Sequence, residues 1–465
     1  MWVRPFRALV ACLVTVISLA AAQSNHDAGA SARYRTRTDR VTKGLSLSRI
    51  LDRRGPNRIK VLKVDPATSL TIDVALANNQ LPGRQRTSTM ARRHDAIAAT
   101  NGTYGLPWGR PIGLFSEDGK LQTSPLLDKR AFSISRDETL THIGSPRLQM
   151  SATVLDTESQ WRIDKWNEGH PGRGQIAALT PSGTGYLKPP RWSCSARLYP
   201  IGQRTWTKNR NGLTTDYVVD AVRCAESRMA PRGGTVVSAL WKGVADDDIR
   251  AVQRNQVIRL RWALRWTGVM DMIAGNPTLL ADGAITATDC PASFCRRHPR
   301  TGIGVTYDGK LLLVTVDGRQ RRSVGMTPRQ FAKLFRRLGA RWALNLDGGG
   351  STTMFVKGGV VNRPSDSGGE RAVSSALLVL PGPDKREAEP SLFSDSNPRD
   401  GGLISLSPRR QIATNDGLDP AAADPGSTGG MLEALSSGGL TGEPQALPRS
   451  LERIVHRFRA AQRRF

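Results

Sequence analysis

The sequence predicts an α+β fold, a mixed and largely antiparallel sheet core flanked by helices. Three observations carry that expectation. Apolar and polar residues alternate over several short runs, the period of half-buried strands. Asp-Gly turn signals join neighbouring runs, as at Asp118-Gly119 and Asp308-Gly309. One segment changes to helical spacing, with Phe331, Leu334, Phe335 and Leu338 behind a Thr327 N-cap and Pro328 at the first helical position. Gly339 then ends that helix.

In chain order, residues 1–22 read as a secretory signal peptide. Arg4 and Arg7 precede an apolar run from Ala8 to Leu19, and Ala20-Ala21-Ala22 supplies the small-residue cleavage site. The run is shorter than the ~20 residues a membrane span requires, so the mature chain is expected to be secreted. Residues 23–44 are polar and basic and read as a linker. Residues 59–77 alternate as two strands of a hairpin, and 95–100 make a short strand. Residues 111–122 form a hairpin and 131–135 another strand. Residues 301–307 and 311–316 pair around Asp308-Gly309. Residues 372–380 are the last strand.

One folded domain is therefore expected over residues 45–380. Seven of the ten tryptophans fall between Trp161 and Trp266, and residues 160–270 read as an insertion whose tryptophans serve packing more than sugar stacking. Residues 381–465 are rich in Gly, Ser, Pro and Asp and read as a disordered, low-complexity tail. Leu451, Ile454, Val455 and Phe458 near its end are spaced for a basic helix that could lie on an anionic membrane or wall surface.

Of five cysteines, Cys12 leaves with the signal. The remaining four in an exported chain suggest two disulfides, and nearest-neighbour pairing gives Cys194–Cys224 and Cys290–Cys295 among three connectivities. No C-x-x-C is present and His298 is the one histidine near them, so no metal site is indicated. The formal charge is +27. Outside a cell such a field suits anionic wall polymers, phosphate-bearing glycans or membrane surfaces, and no nucleic acid is expected. Surplus arginine that merely aids solubility explains the charge equally well.

The most informative segment is Ala343 to Val356, which contains Asn345-Leu346-Asp347-Gly348-Gly349-Gly350-Ser351-Thr352-Thr353. Apolar runs on both sides read as strands. Three glycines allow close backbone approach, and successive N–H groups can cradle an anion beside the Asp347 carboxylate.

This loop resembles that of the phosphodiester glycosidase family, which includes the enzyme that uncovers mannose 6-phosphate by removing N-acetylglucosamine from a sugar phosphodiester. Other blocks are similar and follow the family's order over about residues 90–380: Asn101-Gly102-Thr103-Tyr104, Pro299-Arg300-Thr301, Asp317-Gly318-Arg319, and Asn362-Arg363-Pro364-Ser365-Asp366 with Gly368-Gly369-Glu370-Arg371. Gly105 stands where the family often has a second aromatic, and Ala372 where it often has proline.

The resemblance implies an exported hydrolase that cleaves a sugar-1-phosphodiester in a surface polysaccharide or wall polymer. Breaking such a bond needs a carboxylate near the anomeric carbon and cations on the phosphate. Asp347 is the first candidate for base or nucleophile, with Asp317 or Glu370 as its partner. Arg300 and Arg371 are expected on the phosphate, and Arg319 beside them. Gly348, Gly349, Gly350, Ser351 and Thr352 form the cradle, while Asn101 and Asn345 bond sugar hydroxyls or fix loops. No cofactor motif appears; carboxylates and asparagines could hold Ca²⁺, but their spacing does not specify it. G-x-S-x-G, H-E-x-x-H and P-loop signatures are absent. The competing readings are a non-catalytic binder of anionic wall glycans and an actin-like phosphotransferase, the latter disfavoured by export and by a single phosphate loop. The oligomeric state is not legible.

Overall fold

The computed structural model describes residues 33–382, except 126–129, 136–140, 182–188, 190, 202, 227–229, 231–233, 241–244 and 288–291. The expected signal peptide, the low-complexity tail and the terminal basic helix lie outside the described residues. No helix among the described residues is long and apolar enough to cross a membrane.

The helix-flanked α+β expectation is overturned. Half of the structure is strand and 11% is helix, in curled sheets. The antiparallel part of the expectation stands, for the one parallel pair among the named strands is Lys165–Trp166 with Ile176–Leu179. Two causes underlie the correction. Strands buried on both faces, such as Val269–Ala274, lack alternation. The region without assigned elements, 160–266, holds most of a nine-stranded sheet.

Four strands open the described chain: β1 (Tyr34–Thr42), β2 (Leu45–Asp52), β3 (Asn57–Val64) and β4 (Leu70–Leu76). β1 lies in the segment expected to be a linker. It is an exposed edge strand rich in Arg and Thr, so it carries no apolar signature. β1, β2 and β3 continue through Leu311–Val316, Arg300–Thr306, Ala340–Asn345, Thr278–Ala281 and Ala284–Ile285 to complete an eight-stranded sheet. A second sheet runs Gly359–Val360, Met354–Val356, Ala98–Asn101, Ser375–Pro381 and β4. β3 and β4 are therefore strands, but not a hairpin. Every position of β4 is buried, and the chain arches from one sheet to the other between them. Likewise, expected strand 372–380 splits into Ala372–Val373 and Ser375–Pro381, which belong to different sheets.

The two sheets share a core. Leu62, Leu313, Ile303 and Leu344 of the first meet Ile72, Val74, Met354 and Leu377 of the second. The opposite face of the eight-stranded sheet is closed by the Pro328–Arg337 helix through Phe331, Leu334 and Phe335. That helix has the predicted N-terminus, a capping box of Thr327 and Gln330, and ends before Gly339 at φ +85°. The Phe115–Glu117/Lys120–Thr123 and Arg300–Thr306/Leu311–Val316 hairpins form as expected.

The tryptophan-rich lobe is a separate apolar cluster. Trp161, Trp166, Trp262 and Trp266 are buried in it, Trp206 is half-buried, and Trp192 is 52% exposed. Trp241 lies outside the described residues. Cys194 and Cys224 face each other across adjacent strands and are disulfide-bonded. Cys295 is also disulfide-bonded, while Cys290 lies outside the described residues.

Candidate active site

The Asp347 loop joins the two sheets that share the core. Ala340–Asn345 ends in the first sheet, Leu346 is buried, and the chain turns through a short 3-10 segment, Gly349–Ser351. It then enters Met354–Val356 of the second sheet. Gly349 has φ +63°. A Cβ on Gly350 would fall 2.2 Å from both Arg371 Nη2 and Asp366 Oδ1, so only glycine lets that ion pair close over the turn.

Asp347 is half-buried. Burial pushes its carboxyl up to about 6, against the Ser351 hydroxyl, the Gly348 N–H and the nearby Arg371 charge, which all favour the anion. The Gly348 N–H donates to Oδ1 at 2.9 Å. The Asp347 main chain is pinned as well: its N–H donates to Gly102 O at 3.1 Å and its carbonyl accepts from Asn101 Nδ2 at 2.7 Å. Fully buried Asn101 also accepts from Thr301 Oγ1 at 2.8 Å and Thr353 N–H at 3.1 Å. Asn101 thus fixes the loop from three directions.

The expected N–H cradle is largely spent within the fold. Gly349 N–H donates to Pro299 O, Ser351 N–H to Gly348 O, and Thr352 N–H to Gly349 O. Among the described residues, Gly350 is left as the loop amide with no acceptor. Three buried polar atoms beside the loop likewise have no partner: Asn345 Oδ1, Thr352 Oγ1 and Thr353 Oγ1. Such atoms cost free energy in an apolar core and mark polar sites.

Two guanidiniums border the turn. Arg371 pairs bidentately with Asp366, at 2.7 and 3.0 Å. Exposed Arg319, at φ +58°, packs on Gly349 and lies 3.4 Å from His298 Nδ1. His298 Nε2 is 2.8 Å from Ser293 O, so that nitrogen carries the proton and Nδ1 is the acceptor facing Arg319. An open depression of about 530 Å³ is lined by Ser365 to Arg371.

The other expected residues have largely structural partners. Buried Arg300 donates to the carbonyls of Met326, Phe294 and Arg296 and sits over the Phe294 ring. Burial lowers its pKa to about 10. Asp317 is buried and accepts from Asn362 Nδ2 and Arg363 N–H; burial raises its carboxyl pKa. Both oxygens of Glu370 bond Ser88, in the first turn of the Thr87–Arg93 helix. Asn345 Nδ2 reaches Tyr104 Oη at 2.6 Å and Asn276 O at 2.9 Å. Tyr104, Asp366 and Asn362 had no role assigned from sequence, though each stands inside a quoted motif block. Asn362 bridges Asp317, Thr352 O and the Met354 N–H. Among the described residues, no group of three or more His, Cys, Asp or Glu is placed to hold a metal ion.

The phosphodiester glycosidase family profile matches residues 210–380. Residues 210–380 are thus similar to phosphodiester glycosidases. The match takes in Arg300, Asp317, the Asp347 loop and Arg371. It begins inside the tryptophan-rich region. An uncharacterised SPbeta prophage-derived protein of Bacillus subtilis (strain 168), YomE, is 46% identical over 83 residues, 18% of this chain and 13% of the relative. This chain therefore spans a small part of that relative. A hypothetical protein from Synechocystis aligns with TM-score 0.61 and 19% identity, over 74% of this chain and 63% of its own. A protein of Burkholderia pseudomallei K96243, labelled provisionally as exported, aligns with TM-score 0.54 and 22% identity over 70% of this chain and 74% of its own. At these identities the two structures share this chain's fold alone.

Proposed function

We propose that this protein is an exported hydrolase of glycosyl phosphodiesters, acting on a surface polysaccharide or wall polymer. The observation that carries the reading is Asp347, a half-buried carboxyl with its pKa raised to about 6, on a pinned loop beside Arg371 and Arg319 within the family-matched sequence. Water supplies the oxygen that ends on the anomeric carbon, the carbon–oxygen bond to phosphate breaks, and a phosphate monoester departs. That leaving group is stable as an anion, so cations matter more than a proton donor.

Asp347 serves as base or nucleophile at the anomeric carbon. Arg371, Arg319 and the Gly350 N–H receive the phosphate. Arg300, with three carbonyls on its guanidinium, positions the His298–Pro299 segment under the loop. Glu370 and Asp317 act as positioning residues through Ser88 and through Asn362. Asn101 fixes the loop.

The test is a panel of sugar-1-phosphodiesters in ¹⁸O-labelled water. Free sugar carrying the label, together with a phosphate monoester, is expected. Sugar 1-phosphate as the product would mean phosphorus–oxygen cleavage and would sink the assignment; binding of wall polymer without product would favour a binder. Gly350→Ala should lower kcat/KM by about a hundredfold, because its methyl displaces Arg371 and Asp366. Activity within twofold of wild type would remove that ion pair from the site.

A further inference from the structure

The face of the eight-stranded sheet that packs against the second sheet changes character along its length. At one end it is apolar, with Leu47, Leu62 and Leu313 in the shared core. At the other end the same face carries cations. Register sets Arg37 opposite Arg49, and Arg49 opposite Lys60, on β1, β2 and β3. The next rung on this face sets Arg35 opposite Leu51, and Leu51 opposite Arg58. Arg35, Arg37 and Arg58 are exposed, while Arg49 and Lys60 are half-buried.

Like charges directly opposite one another destabilise a sheet. Arginine or lysine on an edge strand blocks unwanted pairing, which accounts for β1. It does not account for Arg49 and Lys60, whose strands are paired on both sides. Asp39 bonds Arg37 and Arg49, and Asp317 lies within electrostatic reach of Lys60 and Arg58. Five cations thus face two carboxylates. Strands stand about 4.8 Å apart, so the cations advance across the sheet in steps of that size. Asp317, at the inner end, bonds Asn362, which bonds Thr352 O in the Asp347 loop.

We propose that this cationic ladder is a binding track for an anionic polymer with repeated phosphodiesters, leading its chain to the Asp347 loop. The inference rests on the phosphodiester glycosidase reading and adds to it the surface along which the polymer is held.

Binding is measured without turnover, on the full chain and on its Asp347→Asn variant, with inorganic polyphosphate as probe. Chains of about 60 phosphates should bind at least about tenfold more tightly than tripolyphosphate, to both proteins, and weaken with salt. The combined variant Arg37→Gln, Arg49→Gln, Arg58→Gln should lose about tenfold in affinity for the long chain. A control with the same charge loss in the tryptophan-rich lobe, Arg173→Gln, Arg223→Gln, Arg254→Gln, should stay within about twofold of wild type. The single variant Arg37→Gln, at an exposed edge position, should lose a measurable part of the affinity even if the combined variant fails to fold.

Equal losses in ladder and control variants would reduce the effect to net charge and overturn the track. So would equal affinity for short and long chains. Loss of binding to phosphatidylglycerol vesicles, with polyphosphate binding unchanged, would assign the ladder to a membrane and also overturn it. Absence of sugar release in the labelled-water assay bears on the glycosidase reading alone, since none of these measurements depends on turnover.

Discussion

Asp347→Asn should abolish turnover and stabilise the protein at once. The amide keeps an oxygen for the Gly348 N–H and the Ser351 hydroxyl, so the loop's geometry is preserved. It cannot accept a proton or attack carbon, and kcat should fall by about 10³ or more. The stability effect follows from linkage. The folded carboxyl titrates at about 6, above the ordinary carboxylate range near 4. Its contribution to stability is therefore fully present below about pH 4 and is lost as pH rises through 6. At pH 8 the wild type holds a charge in a poorly solvated place, and the asparagine does not. Allowing for partial exposure, the variant should be more stable there by about 1–2 kcal/mol, with no gain near pH 4. Thermal unfolding at the two pH values reads this directly. In the wild type, kcat/KM should rise through an apparent pKa near 6. A stabilised but fully active variant would move the chemistry to another carboxylate.

Asn101→Ala should damage both fold and function. Asn101 is fully buried, and its amide satisfies Asp347 O, Thr301 Oγ1 and the Thr353 N–H. Truncation strands three polar groups in the core as well as leaving a small cavity. Each stranded group costs about 1–3 kcal/mol, so a loss of at least about 3 kcal/mol is expected. Urea unfolding should show a lower midpoint with an unchanged slope. The surviving folded fraction should also turn over slowly, because Asp347 loses its lateral anchor. A loss under about 1 kcal/mol would show that water replaces the amide, and Asn101 would then be free for a substrate hydroxyl.

The Asp347 loop was legible because Asp, three glycines and three polar residues between apolar runs leave few structural explanations. The Thr327–Gly339 helix was legible because its stop and start signals are local. What failed was pairing. Nothing in residues 59–77 says that β3 and β4 enter different sheets, since alternation reports burial and not the neighbour. Arg300 looked like a phosphate ligand by type, yet its acceptors are carbonyls contributed by Phe294, Arg296 and Met326, which composition cannot reveal. Glu370 is similar: its partner Ser88 lies 282 residues away.

One feature of the second sheet governs how this chain can reach its native state. β4 sits beside Ser375–Pro381, and Thr71 bonds the carbonyl of Gly382 across a sequence separation of 311. An early strand therefore waits for the last one before its ladder exists. Closing so long a loop is slow, and until it closes the apolar faces of β4 and Ala98–Asn101 stay open. A chain leaving the ribosome cannot lock this sheet while its final strand is still unmade. Assembly of this second sheet is therefore a late event, timed by the arrival of Ser375–Pro381.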